Sequence, residues 1–167
     1  MSGRTFTVLV LCTGNSARSI LGEMLFNHLG KGRVNAYSAG SQAGGVVNPV
    51  ALETLRKHGI PCAGARSKSW DEFGTPDAPQ FDFIFTVCAN AANETCPIWP
   101  GHPATAHWAL PDPAHVEPLA ARQIAFEQTY QSLKARISTF LALPLERMTQ
   151  ADILAAARRM HSELKEN

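Results

Sequence analysis

The sequence predicts an α/β fold in which a parallel sheet is wrapped by helices on both faces. Residues 5–11 form a β-branched and apolar run without polar alternation, the mark of a strand buried on both sides; residues 34–39 read as a second strand, 82–87 as a third, buried one and 106–110 as a short fourth. Segments of helical periodicity alternate with them, and strands that alternate with helices form parallel sheets. The length of 167 residues corresponds to one domain at roughly 150 residues each, large enough to bury a core without disulfides.

The first run, TFTVLVL, stops at Cys12-Thr-Gly-Asn-Ser-Ala-Arg-Ser19, after which Ile20, Leu21, Met24, Leu25 and Leu29 recur at helical spacing until Gly30. Gly40 closes the second strand. Residues 49–58 read as a helix with Val50, Leu52 and Leu55 inward, stopped by Gly59. The third strand is DFIFTV and the fourth is short. Pro97, Pro100, Pro103, Pro111, Pro113 and Pro118 exclude a regular helix or central strand around it and predict a long surface loop. A long helix follows, with Phe126, Tyr130, Leu133, Ile137, Phe140 and Leu141 on one stripe, until Pro144. Thr149 with Asp152 has the form of a capping box, beside a staple of Met148 and Ile153. Ile153, Ala157, Met160 and Leu164 continue a last helix. The expected organisation is an α/β domain over 1–143, with 144–167 as a helical extension of it.

Fifteen Lys and Arg against fourteen Asp and Glu leave a net charge of +1, which excludes a strongly basic nucleic-acid binder. A 45% hydrophobic, 17% charged composition is that of a globular chain, not a disordered one. No apolar stretch approaches the roughly 20 residues of a membrane span. The start, Met1-Ser-Gly-Arg-Thr5, offers no small-residue cleavage site, so no signal peptide is expected. Four cysteines are too few for a disulfide scaffold and read as free, catalytic or metal-bound thiols of a cytoplasmic protein.

In parallel sheets ligands bind beyond the carboxyl ends of the strands. Cys12, Cys88 and Asp112 each follow a predicted strand, so all three are expected on one edge. The loop Thr13, Gly14, Asn15, Ser16, Ala17, Arg18, Ser19 lies between a buried strand and a helix. There, backbone N–H groups and the helix start form a cradle for a tetrahedral oxyanion. Arg18 adds a bidentate charged fork. The same field favours the thiolate of Cys12, to which Ser16 and Ser19 can donate. Gly14 and Asn15 suit positive φ in a tight loop. The Lys-Ser/Thr pair of a nucleotide P-loop is absent. Asp112, held between Pro111 and Pro113, is either a general acid over a leaving oxygen or a plain turn aspartate.

Other readings exist. Cys88, Cys96, His102 and His107 form a set that zinc accepts, although the first pair lacks the usual two-to-four-residue spacing. An oxyanion sensor without turnover would not need Asp112. Cys62 reads as a packing or surface residue. Tyr37 and Tyr130 read as structural. Trp70, Trp99 and Trp108 read as packing aromatics near the site, and no cofactor or metal is implied.

Cys12-Thr-Gly-Asn-Ser-Ala-Arg-Ser19 with Glu23, Tyr37-Ser-Ala-Gly40 and Leu110-Pro-Asp-Pro113 resembles the low-molecular-weight tyrosine phosphatase superfamily. Asn48-Pro49, His58-Gly-Ile60, Val87-Cys-Ala-Asn, Thr95-Cys-Pro97 and His107-Trp108 are closer to its thiol-dependent arsenate reductases. The resemblance covers residue 5 to about residue 141. It implies a four-stranded parallel sheet flanked by helices, with Cys12 as nucleophile, Arg18 as oxyanion ligand and Asp112 as acid–base residue. The implied function is reduction of arsenate to arsenite in arsenic detoxification. The alternative is a phosphatase acting on phosphomonoesters through a Cys12 phosphocysteine. Ala114 and His115 stand where phosphatases carry aromatics after the Asp-Pro, which weighs against it.

Reduction needs two electrons, hence a second thiol. Cys88 is the expected resolving thiol, and Cys96 the one that carries the disulfide outward. If residues 88–96 were helical, their ends would be about 12 Å apart, whereas a disulfide tolerates about 7 Å. That segment must therefore unwind or loop out. Ala17 stands where many reductases have another cysteine. The Cys88-to-Cys96 spacing is one residue longer than in thioredoxin-linked relatives, so thioredoxin and glutathione with glutaredoxin both stay open as reductants. Some relatives bind potassium through residues matching Asn15, Glu23 and Ser38. Lys68 falls where a carboxylate ligand would be, and is either a substitute for the ion or a solvated surface residue.

Overall fold

The computed structural model describes residues 5–87 and 104–164. These contain four strands, β1 (Phe6–Cys12), β2 (Val34–Gly40), β3 (Phe83–Thr86) and β4 (Ala104–His107). Their four α-helices are α1 (Arg18–Leu29), α2 (Pro49–Lys57), α3 (Leu119–Leu141) and α4 (Gln150–Leu164). The sheet is parallel throughout, in the order β2-β1-β3-β4. Central β1 has no polar side chain from Val8 to Leu11, and all four residues are buried, as a strand covered on both faces requires. Among the described residues, no helix is long and apolar enough to cross a membrane.

The core is continuous from the sheet to the last helix. Phe26 of α1, Phe85 of β3, Trp108 and Phe140 of α3 form a fully buried aromatic cluster with edge-to-face and tilted contacts. Burial of each such ring contributes about 1.5–3 kcal/mol. Trp108 also donates its indole N–H to the Ala157 carbonyl at 2.9 Å, tying α4 to the end of the sheet. Ile153, Ala157 and Met160 complete that packing. Tyr37 is half-buried against Phe73 and Phe81, while Tyr130 is buried and stacks on His58, so both tyrosines are structural. Thr149 caps α4 as expected, its hydroxyl accepting from the Asp152 amide at 3.1 Å.

Two element boundaries differ from the sequence reading. The fourth strand is Ala104–His107 instead of 106–110, because the ladder to β3 runs from Phe83↔Ala104 to Thr86↔His107. The next amides, Trp108 and Leu110, still donate to Thr86 and Val87, but outside a regular strand. The long helix starts at Leu119, well before the apolar stripe shows it, because its first turns carry Leu119 and Ile124 exposed. Pro97, Pro100 and Pro103 lie outside the described residues, while Pro118 caps α3.

Candidate active site

β1 and β2 end side by side at the paired residues Cys12 and Gly40. The chain then turns through residues 13–17 into α1. A side chain at Gly40 would lie 2.4 Å from the Thr13 carbonyl and 2.7 Å from that of Cys12, so only glycine lets the loop close here. Asn15 takes positive φ, 47°, whereas Gly14, expected to share that role, does not. The loop carbonyls turn outward: Thr13, Gly14 and Ser16 accept from the amides of Gln42, Gly44 and Asn48. Among the described residues no backbone carbonyl accepts from the amides of residues 14–18, so the concave side carries donors, as an anion cradle needs. Cys12 is buried at its base.

Arg18 opens α1 with its side chain 13% exposed. One terminal nitrogen donates to the Leu110 carbonyl at 2.8 Å, and the other lies 3.7 Å from Asp112. Its Nε is buried without a partner, a donor that an oxyanion would satisfy. Asp112 makes the turn contact that one of its two readings expects. Oδ1 accepts from the Ala114 amide at 2.8 Å and ties the turn, while Oδ2 faces Arg18 and His115. Its side chain is 41% exposed.

Behind the loop the polar groups form a closed network. The buried Asn15 amide donates to Ser19 Oγ at 2.8 Å and Ser38 Oγ at 3.0 Å, while its Oδ1 accepts from the Lys68 amide. The Ser38 hydroxyl donates to Glu23 at 2.5 Å. Lys68 Nζ lies 3.8 Å from the same Glu23 oxygen and donates to the Arg66 carbonyl at 2.7 Å. Burial pushes the Glu23 carboxyl upward, against the Ser38 hydrogen bond and the Lys68 charge. Burial pushes the Lys68 ammonium downward, against the attraction of Glu23. Lys68 is therefore no solvated surface residue: it is 7% exposed and supplies the positive charge that Glu23 faces.

Cys88, Cys96, His102 and Trp99 lie outside the described residues. His107 bonds through Nδ1 to Thr86 Oγ1 at 2.6 Å, and among the described residues no three metal-ligating side chains cluster. Cys62 is half-buried against the core. Trp70 is half-buried, while Trp108 sits deeper than a site-rim aromatic, wholly within the core. Sequence reasoning missed the contact that Gly40 makes and the part of Ser67, whose hydroxyl donates to the Gly14 carbonyl at 3.3 Å and accepts from Gly45. No linear signal marks either, since both act across the fold.

A family model described as low molecular weight phosphotyrosine protein phosphatase matches residues 7–152. An arsenate reductase of Bacillus licheniformis is 39% identical over 124 residues, 73% of this chain and 84% of that protein. A solved arsenate reductase in the phosphate binding state superposes with TM-score 0.67 at 24% identity, over 83% of this chain and 98% of the other. A tyrosine phosphatase from Escherichia coli K30 in complex with sulphate gives TM-score 0.66 at 23% identity, over 83% and 97%. The last two likenesses are of fold.

Proposed function

The chain belongs to the low-molecular-weight phosphotyrosine protein phosphatase family, and on that premise we propose that it reduces arsenate to arsenite with cysteine thiols. The observation that carries the reading is the thiol of Cys12 at the base of a donor-lined loop closed by Arg18, whose buried Nε has no partner. The arsenate reductase relatives favour reduction over ester hydrolysis.

The Cys12 thiolate attacks arsenic, and an arsenate oxygen leaves as water after protonation by Asp112. The loop amides and Arg18 hold the remaining oxygens. The Cys88 thiolate then attacks Cys12 Sγ. The sulfur–arsenic bond breaks with its electron pair on arsenic, which departs as arsenite at oxidation state three. A Cys12–Cys88 disulfide takes up the oxidation. Cys96 passes the disulfide on to a thiol reductant, either thioredoxin or glutathione with glutaredoxin. The reaction belongs in the cytoplasm, where such thiols stay reduced. Lys68 takes the place of a cation behind the loop, and residues 144–167 act as a helical extension of one domain.

The test is arsenite release by wild type, Cys88→Ser and Cys96→Ser with each reductant in turn. Cys88→Ser should keep slow aryl phosphate hydrolysis, since the first attack needs no second thiol, yet lose arsenite production. Cys96→Ser should stall after one turnover with thioredoxin. Wild type that hydrolyses phosphotyrosine efficiently but releases no arsenite with either reductant overturns the proposal in favour of a phosphatase.

A further inference from the structure

The connection that carries Asp112 is pinned at alternate residues. The Trp108 amide donates to the Thr86 carbonyl at 2.7 Å, and the Leu110 amide to that of Val87 at 3.1 Å. The Leu110 carbonyl accepts from Arg18, and Asp112 closes its own turn through the Ala114 amide. Pro111 and Pro113 lock φ on either side of the acid and restrict the residues before them, Leu110 and Asp112 itself. Few soft dihedrals separate Trp108 from the Asp112 carboxyl, so a shift of the tryptophan is passed along the chain.

Trp108 in turn is seated by α4, most of which lies beyond the family match that ends at residue 152. Gln150 donates to the Asp82 carbonyl at 3.2 Å, where the pairing of β3 with β4 begins, and Arg158 to the Thr105 carbonyl at 3.3 Å. Leu164, at the far end, lines a cleft together with Leu110 and Asp112. The helix therefore runs beside β4 towards the edge that holds the site. Between its ends, the Ala157 carbonyl takes the indole N–H of the fully buried Trp108 at 2.9 Å. A buried indole N–H without an acceptor is costly, so Trp108 goes where α4 holds it. The Cys12 loop is held from elsewhere, by the amides of Gln42, Gly44, Asn48 and Lys68.

We propose that α4, through Trp108, sets the position of the Asp112 carboxyl over the leaving oxygen, which makes Trp108 a positioning residue. This rests on the acid role proposed for Asp112. A disturbance of α4 reaches proton delivery and spares the anion cradle. In ester hydrolysis the Cys12 sulfur–phosphorus bond forms as the phosphorus–oxygen bond breaks, and the Asp112 proton goes to the departing oxygen.

A poor leaving group needs that proton and a good one does not. The experiment therefore compares turnover of phenyl phosphate with that of 2,4-dinitrophenyl phosphate. Asp112→Asn is the reference and should slow the phenyl ester at least about tenfold more than the dinitrophenyl ester. Trp108→Phe keeps an aromatic ring without the N–H. It should show the same selectivity, about threefold or more, with phosphate protection of Cys12 retained. Met160→Ala trims the buried face of α4, should act in the same direction, and decides the matter if Trp108→Phe fails to fold. Equal slowing of both esters, or no slowing, overturns the proposal and leaves the role of Asp112 standing. No selectivity in Asp112→Asn, or no hydrolysis of either ester by wild type, defeats that role and the proposal with it. Ester selectivity without arsenite release by wild type keeps the proposal and defeats the reductase reading alone.

Discussion

The two sides of the Cys12 loop are built on opposite rules. The concave side keeps donors available: among the described residues no backbone carbonyl accepts from the amides of residues 14–18, and the buried Arg18 Nε has no partner. The convex side leaves almost nothing idle, since Asn15, Ser19, Ser38, Glu23 and Lys68 bond one another in a buried chain. An anion site needs donors that point at empty space without collapsing onto each other. Such a loop must be held from behind, because unsatisfied polar groups otherwise drive rearrangement. The satisfied side makes the unsatisfied side stable.

The sharpest way to break the comparison is on the concave side. Asp112→Asn should slow turnover of an aryl phosphate by about 10²–10⁴-fold while phosphate still protects Cys12 from alkylation. The carboxyl serves the leaving group, whereas the loop and Arg18 hold the anion. Equal losses of protection and turnover would mark Asp112 as a turn residue only.

Gly40→Ala probes the seam between the sides. Its Cβ meets backbone carbonyls, which cannot swing away as a side chain can, so the loop itself must shift. A displacement near 1 Å should cost roughly 10²-fold in turnover, with phosphate protection weakened as well. Unchanged kinetics would show that the loop is not held by this contact.

Lys68→Met attacks the convex side. Removing one partner of a buried pair leaves Glu23 uncompensated, at a cost of about 3–5 kcal/mol by denaturant unfolding. Adding Glu23→Gln should restore much of that loss, and a double-mutant cycle measures it. Wild type should turn over equally in potassium and sodium salts. If potassium stimulates wild type, Lys68 does not take the place of the ion.

The smallest effect lies away from the loop, where α2 meets α3. Burial pushes Glu127 upward, but hydrogen bonds from Gln131, His58 and Lys57 outweigh it and hold the carboxyl down at about 2. Because the folded value lies below the ordinary 4.5, this link stabilises fully above about 4.5 and is lost as pH falls through about 2. Glu127→Gln should lower Tm by about 2–4 °C at neutral pH, the scale of a partly exposed link. The difference should vanish near pH 2, and Cys12 alkylation should not change. A Tm gap that is constant with pH would remove Glu127 ionisation as its source.

Local patterns explain what could be read directly from the residues. Unbroken apolar runs mark β1 and β3, and the Thr149 cap marks the start of α4, because each depends on neighbours a few residues apart. Cys12 and Arg18 belong to the same class: six positions apart, they end a strand and open the next helix, a placement that the local pattern alone predicts. The extent of β4 was not legible, since its register against β3 is set by hydrogen bonds between distant segments. Neither was the start of α3, whose first turns bury too little apolar surface to show a stripe.

What the sequence determined by itself was the α/β class and the strand-to-helix loop from Cys12 to Arg18, while it left two roles open to Asp112. Tertiary structure alone decided that Lys68 is buried against Glu23 and that Gly40 must lack a side chain. Both depend on segments that are distant in the chain and meet only in the fold. The physical reason is separation. A strand or a cap is a short-range balance of sterics and hydrogen bonds, whereas burial and charge pairing depend on which distant segments the sheet brings together, and no local pattern encodes those distances.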